Sequence, residues 1–281
     1  MFISEASFEL RNPILIAAFE GWNDAGESAS GAISHLLTMW THQQIAHLDP
    51  EEYYDFQVNR PSIKVDEKIV REIIWPNTRV FAVSTPHLEN DFLIVKGIEP
   101  SMRWQSFVSE LLDLADDYEV SLLVTMGALL ADTPHSRPIS VTGSGSHPDV
   151  AERLGVEISR YEGPTGILGV LQDAANRRGL DAVSLWAAVP HYVSTPPSPK
   201  ASLALVNALE DFLEISISQG DLPERALEWE KSVDQMAAED TEVGDYVRQL
   251  EKSKDASDLP EMSGELLARE VERFLRRNPE S

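Results

Sequence analysis

Apolar residues come along this chain in two alternating rhythms. Ile14 to Phe19 is a continuous apolar run without polar alternation, the pattern of a strand buried on both faces of a parallel sheet. Behind it, Ala29, Ala32, Ile33, Leu36, Leu37 and Trp40 recur at helical spacing, which predicts an amphipathic helix over residues 26–41. The glycine-bounded stretch "FEGWNDAG", Phe19 to Gly26, joins the two into a strand, turn and helix.

The same unit returns further along. Trp104, Phe107, Val108, Leu111, Leu112 and Ala115 mark a second helix, followed by the strand-like run Val120 to Leu130. Ile167, Val170, Leu171, Ala174 and Ala175 mark a third, followed by Asp181 to Val189. Ser198 and Pro199 form an N-cap and first-turn pair opening a fourth helix, with Leu203, Val206, Leu209, Phe212 and Leu213 predicted to face inward. Between the first two helices, "IVREIIWPNTRVFAVSTP" sets two strand-like runs around Pro76-Asn77 and suggests a hairpin, which makes the sheet mixed. Strands alternating with helices argue for a three-layer α/β/α sandwich on a mainly parallel mixed sheet.

From about residue 219 the character changes. Positions 221–281 hold 17 acidic and 9 basic residues and no strand-like run. Val243, Tyr246, Val247 and Leu250 make one narrow apolar stripe, and Leu266, Leu267, Val271, Phe274 and Leu275 another, with Asp258 and Glu261 spaced as a capping box before the last helix. Residues 1–218 are therefore expected to form the α/β/α core domain and 219–281 an acidic helical extension. Its stripes must dock on that core or on a neighbouring subunit.

Composition narrows the chemistry. A chain of 281 residues with 42% hydrophobic content can bury a substantial core. Forty-seven acidic against 23 basic residues give a formal charge of −24, which repels nucleic-acid phosphates and anionic lipid, so neither nucleic acid nor membrane is expected as a partner. With no cysteine there is no disulfide, thiolate zinc ligand or cysteine nucleophile. No apolar run approaches the ~20 residues needed to span a bilayer. The segment "MFISEASFELRNP" has no signal-peptide pattern, and a cytoplasmic location is expected.

Ligands of open α/β sheets bind beyond the carboxyl ends of the strands. Glu20, Asn23 and Asp24, then Glu99 and Arg103, then Asp132 and His135, then His191 and Tyr192 should gather there. Glu20, Asp24, Glu99, Arg103 and His191 are the candidate acid, base or electrostatic groups of an enzyme. Asp24 fits a turn or cap role as well, because Asp beside Gly is common there. "EGPTGILG", Glu162 to Gly169, opens a helix whose N–H groups would hold an anion, or else its glycines serve tight packing. It lacks both the close glycine pair of a dinucleotide site and the lysine of a phosphate loop. "TGSGSH", Thr142 to His147, reads as a flexible loop rather than a hydrolase elbow. The histidines show no ligand spacing, so no metal and no cofactor is expected. Trp22, Trp75 and Trp186 read as core or interface aromatics, with Trp22 the best interface candidate.

"PILIAAFEGWNDAGESASGAISHL", "GIEPSMRW", "YEGPTGILGVLQDAA" and "VPHYV" followed by "PSPKASLALV" together resemble the proteasome assembly chaperone 2 family, in its actinobacterial branch. The resemblance covers residues 8–218 and rests most on the pairing of "EGWNDAG" with "GPTG". It implies a phosphorylase/hydrolase-like fold and a non-enzymatic assembly factor that binds proteasome α subunits. Trp22, Asn23, Asp24, Gly163, Thr165 and Gly166 become candidate binding or interface residues. It also implies self-association, with a trimer as the working expectation. Relatives commonly dock through a C-terminal hydrophobic residue, tyrosine and any residue, whereas Arg277 to Ser281 hold neither tyrosine nor a large apolar residue, so that docking mode does not carry over. The alternative from the residues themselves is an enzyme, a hydrolase or nucleoside phosphorylase-like transferase, with its site at the strand ends.

Overall fold

Ile14 to Phe19 meet almost no water, and strand β2 (Ile14–Glu20), which contains them, is the axis of the sheet. The structure is a computed structural model and describes residues 2–4, 8–65, 70–145, 148–193, 195–258, 272–273 and 276–277. The remaining strands are β1 (Phe2–Ser4), β3 (His42–Leu48), β4 (Ser62–Val65), β5 (Arg71–Ile74), β6 (Thr78–Val83), β7 (Phe92–Ile98), β8 (Leu122–Ala131), β9 (Val141–Gly145), β10 (Glu157–Ile158) and β11 (Asp181–Pro190). Nine form one mixed, mostly parallel sheet in the order β1-β3-β6-β7-β2-β8-β11-β9-β10. β2 pairs in parallel with both β7 and β8, and this is why its run is apolar on both faces rather than alternating.

The helices flanking the sheet are α1 (Ser28–Met39), α2 (Trp104–Asp117), α3 (Pro148–Leu154), α4 (Ile167–Arg177) and α5 (Pro199–Leu213), followed by α6 (Leu222–Glu239) and α7 (Thr241–Asp258). The chain is therefore an α/β protein, as its strand and helix alternation predicts. Asp258 of the predicted capping box is the last residue of α7, whereas Glu261 and the Leu266 to Leu275 stripe lie outside the described residues.

The residues cluster into two compact units. The first holds 1–23, 40–126 and 144–184. Here α2 packs with α4, and Arg178 ties them by donating to Asp113 at 2.7 Å and Asp116 at 3.0 Å. Phe107 sits at the centre of an aromatic cluster with Phe2, Phe19 and Tyr53. Trp40 stacks on Phe92 with centroids 4.8 Å apart.

Two expectations in this unit are corrected. The runs around Pro76-Asn77 do not pair with each other: β5 pairs with β4 in a separate two-stranded sheet, whereas β6 pairs with β3 and β7. Gly97 of β7 lets β6 approach so closely that a Cβ there would collide with the Thr78 backbone, and Asn77 accepts from the Leu48 N–H at 3.2 Å, so the turn is bound into the main sheet. "TGSGSH" is not a loop over Val141–Gly145, which is strand β9; Ser144 Oγ and Ser184 Oγ are 3.2 Å apart, and Gln172 donates to the Ser144 carbonyl. Ser146 and His147 lie outside the described residues.

The second unit holds 24–39, 127–143 and 185–281. α5 packs on α1 through Ser202, whose hydroxyl donates to the Ser28 carbonyl at 2.9 Å, opposite Gly31, where a Cβ would strike that hydroxyl. The buried face of α5 is accordingly Ala201, Ser202, Leu205, Val206 and Leu209, while Leu203, Phe212 and Leu213 are only half-buried. Pro199 opens the helix as predicted, but the Ser198 side chain makes no capping bond. Gly127 accommodates the Trp186 ring, which a Cβ would strike.

Asp91, buried in the first unit, supplies a pH test. Arg11 donates to it from Nε at 3.1 Å, from Nη2 at 2.9 Å and from its backbone N–H at 2.9 Å, and the Thr85 N–H adds a bond of 2.8 Å. Burial pushes the carboxyl up, but these donors outweigh it and hold it at about 2. A depressed folded-state pKa contributes stability above the unfolded value near 3.8, lost as pH falls from there to about 2. Urea unfolding should therefore show about 1–2 kcal/mol lost across that window, the half-exposed Arg11 limiting the size, and Asp91→Asn should flatten this part of the profile.

Candidate functional site

The loop after β2 turns on Gly21, whose φ of 125° is open only to glycine, and this swings Asn23 inward to 2% exposure while leaving Trp22 64% exposed. Asn23 Nδ2 donates to Glu99 Oε1 at 2.9 Å, and the Ile167 N–H donates to the same oxygen at 2.8 Å. The Glu99 N–H in turn donates to the Glu20 carbonyl at 2.9 Å. Gly166 sits so close to the Asn23 amide that a Cβ would overlap it. Glu20, Asn23, Glu99 and Gly166 thus come together in one knot of the first unit.

The knot accounts for the anion preference of the α4 N-terminus. Ile167 is the first residue of that helix, whose leading N–H groups lack intrahelical partners and carry partial positive charge. The chain meets that demand with its own Glu99 carboxylate. Thr165 packs against Gly169 one turn on, Gly163 lies under the Tyr161 ring, and Tyr161 Oη donates to the Pro164 carbonyl at 3.0 Å. Arg103, in a left-handed backbone conformation with φ 57°, turns to Glu52 at 3.5 Å and lies 5.4 Å from the Tyr53 ring centre. It makes no bond to the knot.

Asp24 belongs to the second unit and repeats the device there. Its Oδ1 accepts from the Ala29 N–H at 2.7 Å and the Ser30 N–H at 3.2 Å, both in the first turn of α1. Burial is the main cause that raises its carboxyl, and the Ser30 and Ala29 bonds oppose the shift. Gly26, at φ 62°, completes the turn, and its carbonyl accepts from the Ser198 N–H at 2.7 Å. Both carboxylates of greatest sequence interest therefore act as acceptors for helix ends.

The remaining strand-end candidates form a third set, also in the second unit. His191 Nδ1 lies 3.2 Å from Asp132 Oδ1, to which Tyr246 Oη donates at 3.1 Å. Next to them His135, 1% exposed, is held at both ring nitrogens: Nδ1 by Tyr192 Oη at 2.7 Å and Nε2 by Asp234 Oδ1 at 3.1 Å. Because a carboxylate only accepts, Nε2 is the nitrogen that donates to Asp234. Burial first of all pushes the Tyr192 phenol up to about 12, so it keeps its proton. An imidazole with both nitrogens engaged and no exposed edge has no free position for proton transfer to a ligand.

This set does connect helices. Lys200 pairs with Glu230 of α6 and donates to the His135 carbonyl. Ser136 donates to Glu251 of α7, and Arg137 grips Asp255 with two bonds of 2.8 Å. Residues 132–137 are thereby clasped by α6 and α7, with Val233, Val247 and Leu250 buried alongside. Sequence reasoning placed His135, His191 and Tyr192 but missed Asp234 and the bonding role of Tyr246; the one signal was a tyrosine in a stripe otherwise aliphatic. Among the described residues, no three His, Cys, Asp or Glu side chains gather closely enough to hold a metal ion.

The PAC2 family signature matches residues 18–237, and the chain belongs to that family. It is similar to a PAC2 family protein from Streptomyces avermitilis, with 54% identity, 84% of this chain and 99% of that one covered, and a TM-score of 0.78. It is also similar to a proteasome-assembly chaperone homologue from Mycobacterium tuberculosis, at 46% identity, 83% and 99% coverage and TM-score 0.76. A protein of unknown function from Corynebacterium glutamicum is 26% identical, with 92% and 98% coverage and TM-score 0.80. No curated protein matches the chain.

Two substitutions separate these roles by urea unfolding. Glu99→Ala leaves the Ile167 N–H and Asn23 amide without their acceptor and should cost about 1–2 kcal/mol. Tyr192 Oη also accepts from the His135 backbone N–H at 2.7 Å, so Tyr192→Phe strips that N–H and Nδ1 of their partner and should cost about 1–3 kcal/mol.

Proposed function

We propose that the chain is a non-enzymatic assembly factor for proteasome components, with proteasome α subunits as its protein partner. The reading rests above all on 46% identity across 99% of the M. tuberculosis proteasome-assembly chaperone homologue. The site supports it, since Asp24, Glu99 and His135 are committed to helix ends and to a helix clasp, while large side chains beside them face solvent. Trp22 is 64% exposed, Met102 42% and Tyr161 69%, and each lies within five residues of Asn23, Glu99 or Gly166 in the chain. Tryptophan, tyrosine and methionine are among the residue types enriched at protein interfaces.

Trp22, Gly163 and Thr165 are, on this reading, a binding surface held rigid from beneath by the buried Asn23 and Gly166 of the knot, and Asp24 sets the turn into α1. Helices α6 and α7 clasp the 132–137 segment. Among the described residues no helix is long and apolar enough to cross a membrane, and we place the protein in the cytoplasm, acting as a homo-oligomer.

Native mass spectrometry of the purified chain mixed with separately purified α subunits is the test. A complex containing both is expected, and Trp22→Ala should weaken it at least about tenfold while shifting unfolding free energy by less than about 0.5 kcal/mol. No complex in the micromolar range would overturn the reading.

A further inference from the structure

The hairpin of β4 and β5 is a two-stranded sheet of its own with all but one residue exposed. Its register sets Ile63 opposite Ile73 and Val65 opposite Arg71, so one face carries three β-branched aliphatics and ends in an arginine. Ile63 is 61% exposed, Val65 56% and Ile73 55%, with Trp75 at 44% just beyond. A lone two-stranded ribbon is marginal in water, and clustered exposed apolar side chains mark an interface. Among the described residues of 58–75, Arg60, Lys64 and Arg71 stand against Glu72, a positive island in a chain of charge −24.

Elsewhere in the same unit lies a surface of the opposite kind. A groove of about 820 Å³ is lined by Phe2, Phe8 and Leu114, with Glu9, Asp117 and Glu119 among its carboxylates; among the described residues its lining holds no lysine or arginine, and Arg178 meets it only through Asp113. An aliphatic face ending in a cation suits an apolar floor rimmed by acid.

We infer that the β4–β5 hairpin of one copy docks into this groove of a second copy. Ile63, Val65 and Ile73 cover Phe2, Phe8 and Leu114, and Arg71 meets the acidic rim. A second copy is the occupant because the chain carries both halves of the match, whereas another strongly acidic surface would be repelled by the groove. The two patches differ, so the contact is head to tail and either closes a ring or runs on. This deepens the homo-oligomer part of the proposed function and rests on it. The test uses purified chain alone, so failure to bind α subunits and failure of this interface are read separately.

The experiment is mass by sedimentation velocity across the micromolar range. The hairpin variant carries Ile63→Asp with Ile73→Asp, and the groove variant Glu9→Lys with Asp117→Lys. Unmodified chain should exceed the 31.3 kDa of one copy, and each variant alone should run at that mass. An equimolar mixture should form pairs and nothing larger, since each pair has one intact hairpin facing one intact groove. Should the aspartates prevent folding by circular dichroism, Ile63→Ser with Ile73→Ser gives the same reading. A monomeric unmodified chain, a folded variant that keeps the parent mass, or a mixture that stays monomeric would each overturn the inference. So would a hairpin variant that keeps its mass but loses α subunits, which would make the hairpin a partner surface instead.

Discussion

A helix starts with N–H groups that its own turns cannot satisfy, and in this chain the starts of α1 and α4 are met by the carboxylates of Asp24 and Glu99. The rest of the loop geometry follows from those bonds. Glu99 also holds the Asn23 amide, Asn23 is pressed against Gly166, and the same turn leaves Trp22 outside. A loop of two carboxylates, an amide and an indole has the content of an active site, but Asp24 Oδ1 accepts from the first turn of α1, the Asn23 amide is spent on Glu99, and Trp22 stands out in solvent.

Much of the fold was legible because burial on both faces writes a simple code. β2 reads as an unbroken apolar run since β7 and β8 flank it in parallel, and the helices show their periodic faces. What was not legible depended on distant partners. The two runs around Pro76-Asn77 carry ordinary hairpin chemistry, yet Gly97 admits Thr78 into the main sheet and β5 turns to β4, neither of which local pattern reveals. Ser198 has the right type and position for a cap, but its N–H is directed to Gly26 and its side chain makes no capping bond. The same holds for the site. That Glu99 and "GPTG" matter was readable; that the anion expected at the α4 N-terminus is Glu99 itself required the fold.

The α6 and α7 pair shows the same division between pattern and partner. Its Val247 and Leu250 behave as the stripe predicts, becoming buried. The specificity comes from polar bonds that periodicity does not encode, Asp234 to His135 and Asp255 to Arg137. An apolar stripe alone would let a helix slide by a turn, whereas the bidentate Arg137 fixes the register of α7 and the buried His135 imidazole that of α6. A strongly acidic chain has reason to use such bonds, because its helices repel one another and each internal cation fixes a carboxylate in place.

The central claim is that the loop's carboxylates serve helix ends. It is tested most directly by amide hydrogen exchange, resolved by residue, at Ala29, Ser30 and Ile167. First-turn amides of this kind ordinarily exchange freely, having no acceptor of their own. Here all three should be protected to the level of amides inside α1 and α4. Exchange at the unprotected rate, with the helix interiors still protected, would mean that Asp24 and Glu99 are free for other chemistry and would contradict the account.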